Sequence, residues 1–289
     1  MKNIDIWGKT LGFAIAIIYF LFFQSHEMFE WLLFIVVLLT VGIPHGAVDH
    51  LLVNPHIQRK DLAVFILKYL AIIVLYLLVW VTLPLVALIS FLLMSAYHFG
   101  QSHYIRENLR IGRKLTYLGT GTFYLAVILF GNFSKTAEIL ASIVDISGIA
   151  NFGPSLTVLS FSLVAVLLVR NLPTKSFLYL AEMTAVGIIL FHLPLLVGFI
   201  LYFGFWHALP SMAEEYQSLR KSYRGVPLTQ FILRMLPFTA ASIIGMGIIL
   251  VILYPTNTTQ ELTLLFFVLV SLISAPHIWY MNGFLESRR

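Results

Sequence analysis

The sequence predicts an all-α, polytopic transmembrane helix bundle, one domain over residues 1–289. Three observations carry this. Hydrophobic residues make up 60% of the chain, and charged residues only 11%. Mean hydropathy is +0.92. The apolar residues form continuous runs, whereas the strands of an outer-membrane barrel alternate apolar and polar positions. A soluble domain carries about 25% charged residues, so a water-soluble globule is excluded as the default, and hydrophobicity this high excludes disorder. The chain has no cysteine, which removes disulfides and thiolate metal ligands.

A spanning helix needs about 20 mostly apolar residues. Ten segments satisfy that: 9–24, 30–53, 61–79, 82–105, 113–131, 153–170, 174–192, 194–213, 230–254 and 261–284. The first follows Lys2 and Lys9, and no small-residue cleavage site follows it, so it reads as a retained span. The second and fourth contain Gly and His late in their runs. The third and fourth abut at Leu83-Pro84, and the seventh and eighth at Leu193-Pro194, so both turns must be tight. The stretch from Asn132 to Asn151 carries Lys135, Glu138 and Asp145, and reads as an interfacial helix or a loop.

Charge fixes the expected orientation. With both termini cytoplasmic, the cytoplasmic segments hold Lys2, Lys9, Arg59, Lys60, Lys68, Arg106, Arg110, Arg113, Lys114, Arg170, Lys175, Arg220, Lys221, Arg224, Arg234, Arg288 and Arg289. Only Lys135 falls outside, a consistent positive-inside bias. The net charge of +5 therefore marks cytoplasmic loops, not nucleic-acid binding.

Nine histidines stand out, because an ionisable residue inside a membrane is a functional candidate. His26, His56 and His192 lie in loops or at span ends. The other six fall in Gly42-Ile43-Pro44-His45-Gly46-Ala47-Val48-Asp49-His50, Tyr97-His98-Phe99-Gly100-Gln101-Ser102-His103-Tyr104, Phe205-Trp206-His207 and Ala275-Pro276-His277. These are the second, fourth, eighth and tenth spans, which all run in the same direction. At 1.5 Å per residue, His45, His98, His207 and His277 sit about 4–8 Å to the cytoplasmic side of the midplane. Four imidazoles on four helices at one depth suit a metal centre in a bundle. All-imidazole ligation suits iron, copper or zinc alike.

His50 and His103 each follow a tier histidine by five residues, about 7.5 Å and 140° away on a regular helix. Either Gly42, Pro44 and Gly46 distort the second span and Gly100 the fourth, or His50, His103 and Asp49 form an outer layer that orients the ligands or holds a second metal. Glu182 reads as a carboxylate paired near the cytoplasmic rim. The same histidines would also serve a proton- or metal-coupled transporter, but the outer halves of these spans are nearly all apolar, which favours an enclosed site over a conduit.

The segment from Gly42 to His50 resembles the signature of the Brp/Blh family of bacterial membrane β-carotene 15,15′-dioxygenases. Tyr97-His98-Phe99-Gly100-Gln101, Trp206-His207 and Pro276-His277 are similar to that family's later histidine segments, in the same order. The resemblance implies a multi-pass protein of the cell inner membrane that uses Fe(II) and O₂ to cleave the central double bond of β-carotene into two retinal molecules. It also implies a microbial rhodopsin as a recipient of the retinal. The family's iron ligands would fall on His45, His98 and His207, and depth adds His277. Some members carry another histidine four residues after the position of His207. Here that residue is Ser211, so the fourth donor falls to His277, His50 or His103.

A bilayer-dissolved hydrocarbon substrate calls for an apolar, aromatic-walled pocket open sideways to lipid. The candidates for its walls are Tyr97, Phe99, Tyr104, Phe203, Phe205, Trp206, Trp279 and Tyr280. Competing readings are another non-haem iron membrane oxygenase, for which the usual closely spaced histidine boxes are absent, and a homologue that binds carotenoid without cleaving it.

Overall fold

The computed structural model describes residues 2–222 and 227–287. Arg224, Arg288 and Arg289, three of the expected cytoplasmic cations, lie outside them. The described residues form eleven α-helices, two short 3₁₀ turns at Ser147–Ile149 and Tyr254–Thr256, and no strand. The helices are α1 Lys2–Phe22, α2 Glu27–Val53, α3 Arg59–Thr82, α4 Pro84–His103, α5 Arg113–Gly131, α6 Phe133–Leu140, α7 Phe152–Asn171, α8 Ser176–His192, α9 Leu195–Lys221, α10 Leu228–Leu253 and α11 Thr259–Ser287. Every one of the ten expected segments is helical. By length and composition eight of the described helices can cross a membrane, and nine if α5 and α6, bent 90° at Asn132, count as one span. α8 is a shorter apolar helix of 17 residues. The Asn132–Asn151 stretch is the helix α6 followed by a loop.

Backbone chemistry explains the boundaries. Pro84 sits in the first turn of α4, where its missing N–H costs no hydrogen bond. Pro194 and Pro227 immediately precede α9 and α10. Gly112 takes φ 59° ahead of α5, a conformation that disfavours side chains with a Cβ. Gly100 and Gly121 let α4 and α5 touch: a Cβ at Gly100 would lie 2.6 Å from the Tyr117 Cα, and one at Gly121 2.6 Å from the Ala96 Cα. Gly100 therefore does not distort α4, which stays a regular α-helix through His103. Its missing side chain instead seats the neighbouring backbone.

The second span behaves differently. α2 contains a π-helical segment at Leu38–Gly42, a short turn at Ile43–Gly46 and a break at Ala47–Val48 before Asp49–Val53. The glycines and Pro44 thus distort this span, as their spacing predicts. α9 carries a second π segment, Tyr202–Ala208. The two π segments pack together, and Gly42 makes room for the Phe203 ring, whose Cε1 lies 2.6 Å from where a Cβ would stand.

Burial sorts the helices. In its most apolar window α9 is 72% buried, whereas α3 is 6% buried. α9 is the central post, and α3 presents Leu67, Leu70, Val74, Leu75 and Val81 outward. An outer surface this apolar suits lipid rather than water. Ion pairs gather at one end of the bundle. Lys9 Nζ lies 2.7 Å from Glu182 Oε1, Lys175 Nζ 2.7 Å from Glu107 Oε1 and Arg113 Nη2 2.7 Å from Glu286 Oε2, and Arg106 pairs with Glu214. All four cations belong to the set expected to be cytoplasmic, and Glu182 is paired at that rim. Lys135 pairs with Glu138 at the other end, beside Gln260 at the start of α11.

Candidate metal centre

The four tier histidines meet in the bundle interior. His45, His98, His207 and His277 are 2%, 3%, 0% and 5% exposed. Ring centroids are 4.7 Å apart for His98 and His207, 5.1 Å for His45 and His207, and 4.5 Å for His45 and His277. One ring nitrogen from each of His45, His98 and His207 lies within 4.8 Å of the other two, spacing that could hold a metal ion. His277 joins through His45, Nε2 to Nε2 at 3.1 Å. Two nitrogens bound to one ion at about 2.1 Å each stand roughly 3.0–3.4 Å apart, so that separation is compatible with shared ligation.

The local backbone explains how the rings converge. A π turn adds about one residue per turn and shifts side-chain register, a device found often at functional sites. The π segment of α2 ends immediately before the His45 turn, and His207 lies within the π segment of α9. His98 reaches the centre from the regular helix α4, and His277 from α11 just after Pro276.

The remaining nitrogens identify what orients the rings. His277 Nδ1 lies 2.9 Å from Asp49 Oδ1, and Tyr69 donates its hydroxyl to Asp49 Oδ2 at 3.3 Å. Ser102 Oγ lies 2.5 Å from His207 Nδ1. His45 Nδ1 is 3.1 Å from Glu215 Oε1, a charge-pair distance without hydrogen-bond alignment. Glu215 is fully buried, and neither of its oxygens has a hydrogen-bond partner. Both nitrogens of His98 and Nε2 of His207 are buried without a hydrogen-bond partner. Buried polar atoms are normally satisfied, so these unpartnered nitrogens need an explanation, and a bound metal ion supplies one. Imidazoles with one nitrogen held by a carboxylate or hydroxyl and the other free are what a metal centre requires.

Asp49 meets His277 Nδ1, which is the geometry of an orienting partner, one of the two roles the sequence left open to it. His50 and His103 point elsewhere. The His50 ring packs 4.4 Å from Phe238, and His103 stacks on Tyr124 with Nε2 3.1 Å from the Tyr202 hydroxyl. His26, His56 and His192 are exposed. Ser211 is 1% exposed and its hydroxyl has no hydrogen-bond partner. Glu215 and Ser102 escaped the sequence reading. Ser102 stood in the quoted segment four residues after His98. Glu215 lies eight residues after His207, a spacing that places two side chains on nearly the same helix face.

Three cavities meet around these rings. The central one, about 50 Å³, is lined by the four histidines with Phe91, Phe99, Phe199 and Phe203. A chamber of about 550 Å³ shares Ile43, Gly46, Met246 and Ile273 with it, and runs between α3 and α10 to the exposed side chains Leu70 and Ile249. A third, about 90 Å³, shares Phe91, Ser95, Phe99 and Phe199 with the centre and lies towards the far end, under α6. Of the expected aromatic walls, Phe99 and Phe203 face the centre. Tyr97 and Trp279 line a separate surface depression. Tyr104 is hydrogen-bonded to Thr120. Trp206 packs edge-on against Phe13, Phe205 lies against Gly12, and Tyr280 lies against Phe65.

A family model described as beta-carotene 15,15′-dioxygenase matches residues 36–284. No curated protein and no solved structure shows significant similarity to the chain.

Proposed function

The chain belongs to the beta-carotene 15,15′-dioxygenase family, and from that premise we propose that it cleaves the central double bond of β-carotene with one O₂, each carbon of the broken bond receiving one oxygen atom, to give two retinal molecules. The observation that carries this reading is the enclosed imidazole cluster beside an apolar chamber that reaches the lipid-facing surface.

His45, His98 and His207 would hold iron, with His277 as the fourth donor. Bound Fe(II) supplies activation of dioxygen, which neutral imidazole ligands suit by leaving positions open. The protein's own residues do the rest. Asp49 and Ser102 hold His277 and His207 in position through their second nitrogens, and the Glu215 carboxylate stands 3.1 Å from His45 Nδ1. Phe91, Phe99, Phe199 and Phe203 keep the centre dry and narrow. The chamber between α3 and α10 admits the polyene from the bilayer. At about 550 Å³ it lies within the ordinary range for small-molecule sites, and its walls are almost wholly apolar. The molecule sits in the inner membrane with both termini cytoplasmic, which places the histidine tier in the cytoplasmic half.

The test is chromatography of lipid extracts from a β-carotene-accumulating bacterial host expressing the chain. Retinal as the dominant product, with loss of β-carotene, is expected. Unchanged carotene in a host whose membranes contain the iron-loaded protein would refute the reading. Shorter or longer apocarotenals in place of retinal would refute central cleavage alone.

A further inference from the structure

We propose that Tyr202, with His103 beside it, begins a tyrosine relay that carries single electrons from the cytoplasmic rim to the metal centre. The relay reduces iron that has been oxidised with no carotenoid in place to consume the oxidant. Its purpose rests on the iron-oxygenase reading above.

Composition supplies the first reason. The chain holds 24 Phe and 13 Tyr. Among the described residues, the aromatic side chains less than 2% exposed are nevertheless Tyr104, Tyr117, Tyr124 and Tyr202, with Phe34 alone beside them. Phenylalanine would fill the same space without taking a hydroxyl out of water. The Tyr124 hydroxyl is buried with no hydrogen-bond partner, a cost that packing alone does not explain.

The second reason is their arrangement, a line of rings from the centre to the rim. Tyr202 stands one ring away from the histidines, since the Phe99 centroid lies 4.6 Å from His207 and 5.5 Å from Tyr202. From Tyr202 the rings of His103, Tyr104 and Tyr179 follow at successive spacings of 5.8, 6.3 and 5.2 Å. Tyr124 stacks alongside, 4.9 Å from His103 and 4.5 Å from Tyr202. At the outer end Tyr179 donates its hydroxyl to Glu107 Oε1 at 3.0 Å, and Glu107 pairs with exposed Lys175. The competing phenol is Tyr69 on the chamber side, which reaches His277 through Asp49.

Both ends of the line carry a proton acceptor within hydrogen-bond reach, as a phenol that gives up an electron requires. Tyr202 Oη lies 3.1 Å from His103 Nε2, and the acceptor for Tyr179 is Glu107. Oxidised iron takes one electron from Tyr202, whose proton moves to His103. An electron from Tyr179, passed across Tyr104, restores Tyr202, and His103 returns the proton. Tyr179 gives its own proton to Glu107. A one-electron reductant of the ascorbate class at the rim then refills Tyr179, and Glu107 returns that proton. The net change is one electron moved from the reductant to iron.

The probe is hydrogen peroxide, which oxidises bound Fe(II) and is itself reduced to water, added to iron-loaded protein free of carotenoid. Freeze-quench electron paramagnetic resonance should show a tyrosyl radical in the wild type. Tyr202→Phe, at equal iron content, should lose that signal and accumulate oxidised His98 and His207 in peptide mass spectra. Tyr179→Phe should form the radical but slow its decay severalfold after ascorbate is added. No radical in the wild type, the same radical in metal-free protein, an unchanged radical in Tyr202→Phe, or one lost only in Tyr69→Phe would each overturn the relay. If Tyr202→Phe does not fold, His103→Phe, which keeps the ring and removes the proton acceptor, replaces it with the same expected loss. Retinal chromatography on the same wild-type preparation separates the two readings. A radical without retinal would refute β-carotene cleavage and leave the relay standing, and retinal without a radical would overturn the relay alone.

Discussion

Of the inner histidines His45, His98, His207 and His277, the first two share their short segments with the outer pair His50 and His103, yet inner and outer rings meet different fates. The inner rings turn towards one another, and His98 and His207 keep buried nitrogens with no hydrogen-bond partner. The outer rings turn to aromatic neighbours on α5, α9 and α10. Five residues on a helix rotate a side chain about 140°. Along α4 that rotation is undisturbed, so His98 faces the centre and His103 faces Tyr124. In α2 the helix is broken between the two, yet the break brings Asp49, and not His50, back to the centre. The difference teaches that residue type at the right depth is not sufficient. The face decides, and in α2 and α9 the π segments set the face.

The hardest way to break this comparison is to remove an inner ring. His45→Ala, His98→Ala and His207→Ala should each lose iron and lower retinal formation by more than about 100-fold, beyond the 10–100-fold typical of removing an orienting partner. Metal analysis and product chromatography on the same preparations read both. Next come the orienting groups. Glu215→Ala and Asp49→Ala should weaken iron binding about 10–100-fold in chelator competition, and Glu215→Gln, which keeps shape and one acceptor, should weaken it less. If the glutamine variant matched the alanine one, charge and not placement would be what His45 needs. Ser102→Ala should come lower, near the tenfold end of that range, since a hydroxyl is a weaker anchor than a carboxylate.

The outer pair sharpens the comparison from the other side. His103→Phe and His50→Phe should keep iron content and retinal yield within about twofold, with any cost appearing as a small fall in thermal stability. Loss of iron in His103→Phe would move that residue into the centre and erase the distinction. His26→Ala and His56→Ala, on exposed positions, should change nothing measurable.

Much of this was legible in the sequence because membranes impose simple rules. Continuous apolar runs mark spanning helices, and the ten expected segments are all helical. Common depth along the spans marks His45, His98, His207 and His277 as neighbours. What stayed hidden depends on facing. The π segments at Leu38–Gly42 and Tyr202–Ala208 have no composition that announces them. Glu215 stands next to Glu214 near a charged helix end, and only packing brings it within 3.1 Å of His45. The aromatic walls were hardest to pick. Aromatics make up 15% of the chain, so proximity in sequence to a histidine says little, and Phe91 and Phe199, several residues from the nearest one, line the centre while Trp279 stands 71% exposed. Gly100, which in one of the two sequence readings distorts the fourth span, serves instead as a seat for Tyr117.

The central claim is that the converging imidazoles hold one metal ion, and iron quantification with X-ray absorption at the iron edge tests it most directly. Wild type and His103→Phe should each bind one iron per chain in a nitrogen-rich shell, and His98→Ala should bind none. Full iron occupancy in His98→Ala, with an unchanged absorption edge, would contradict the account.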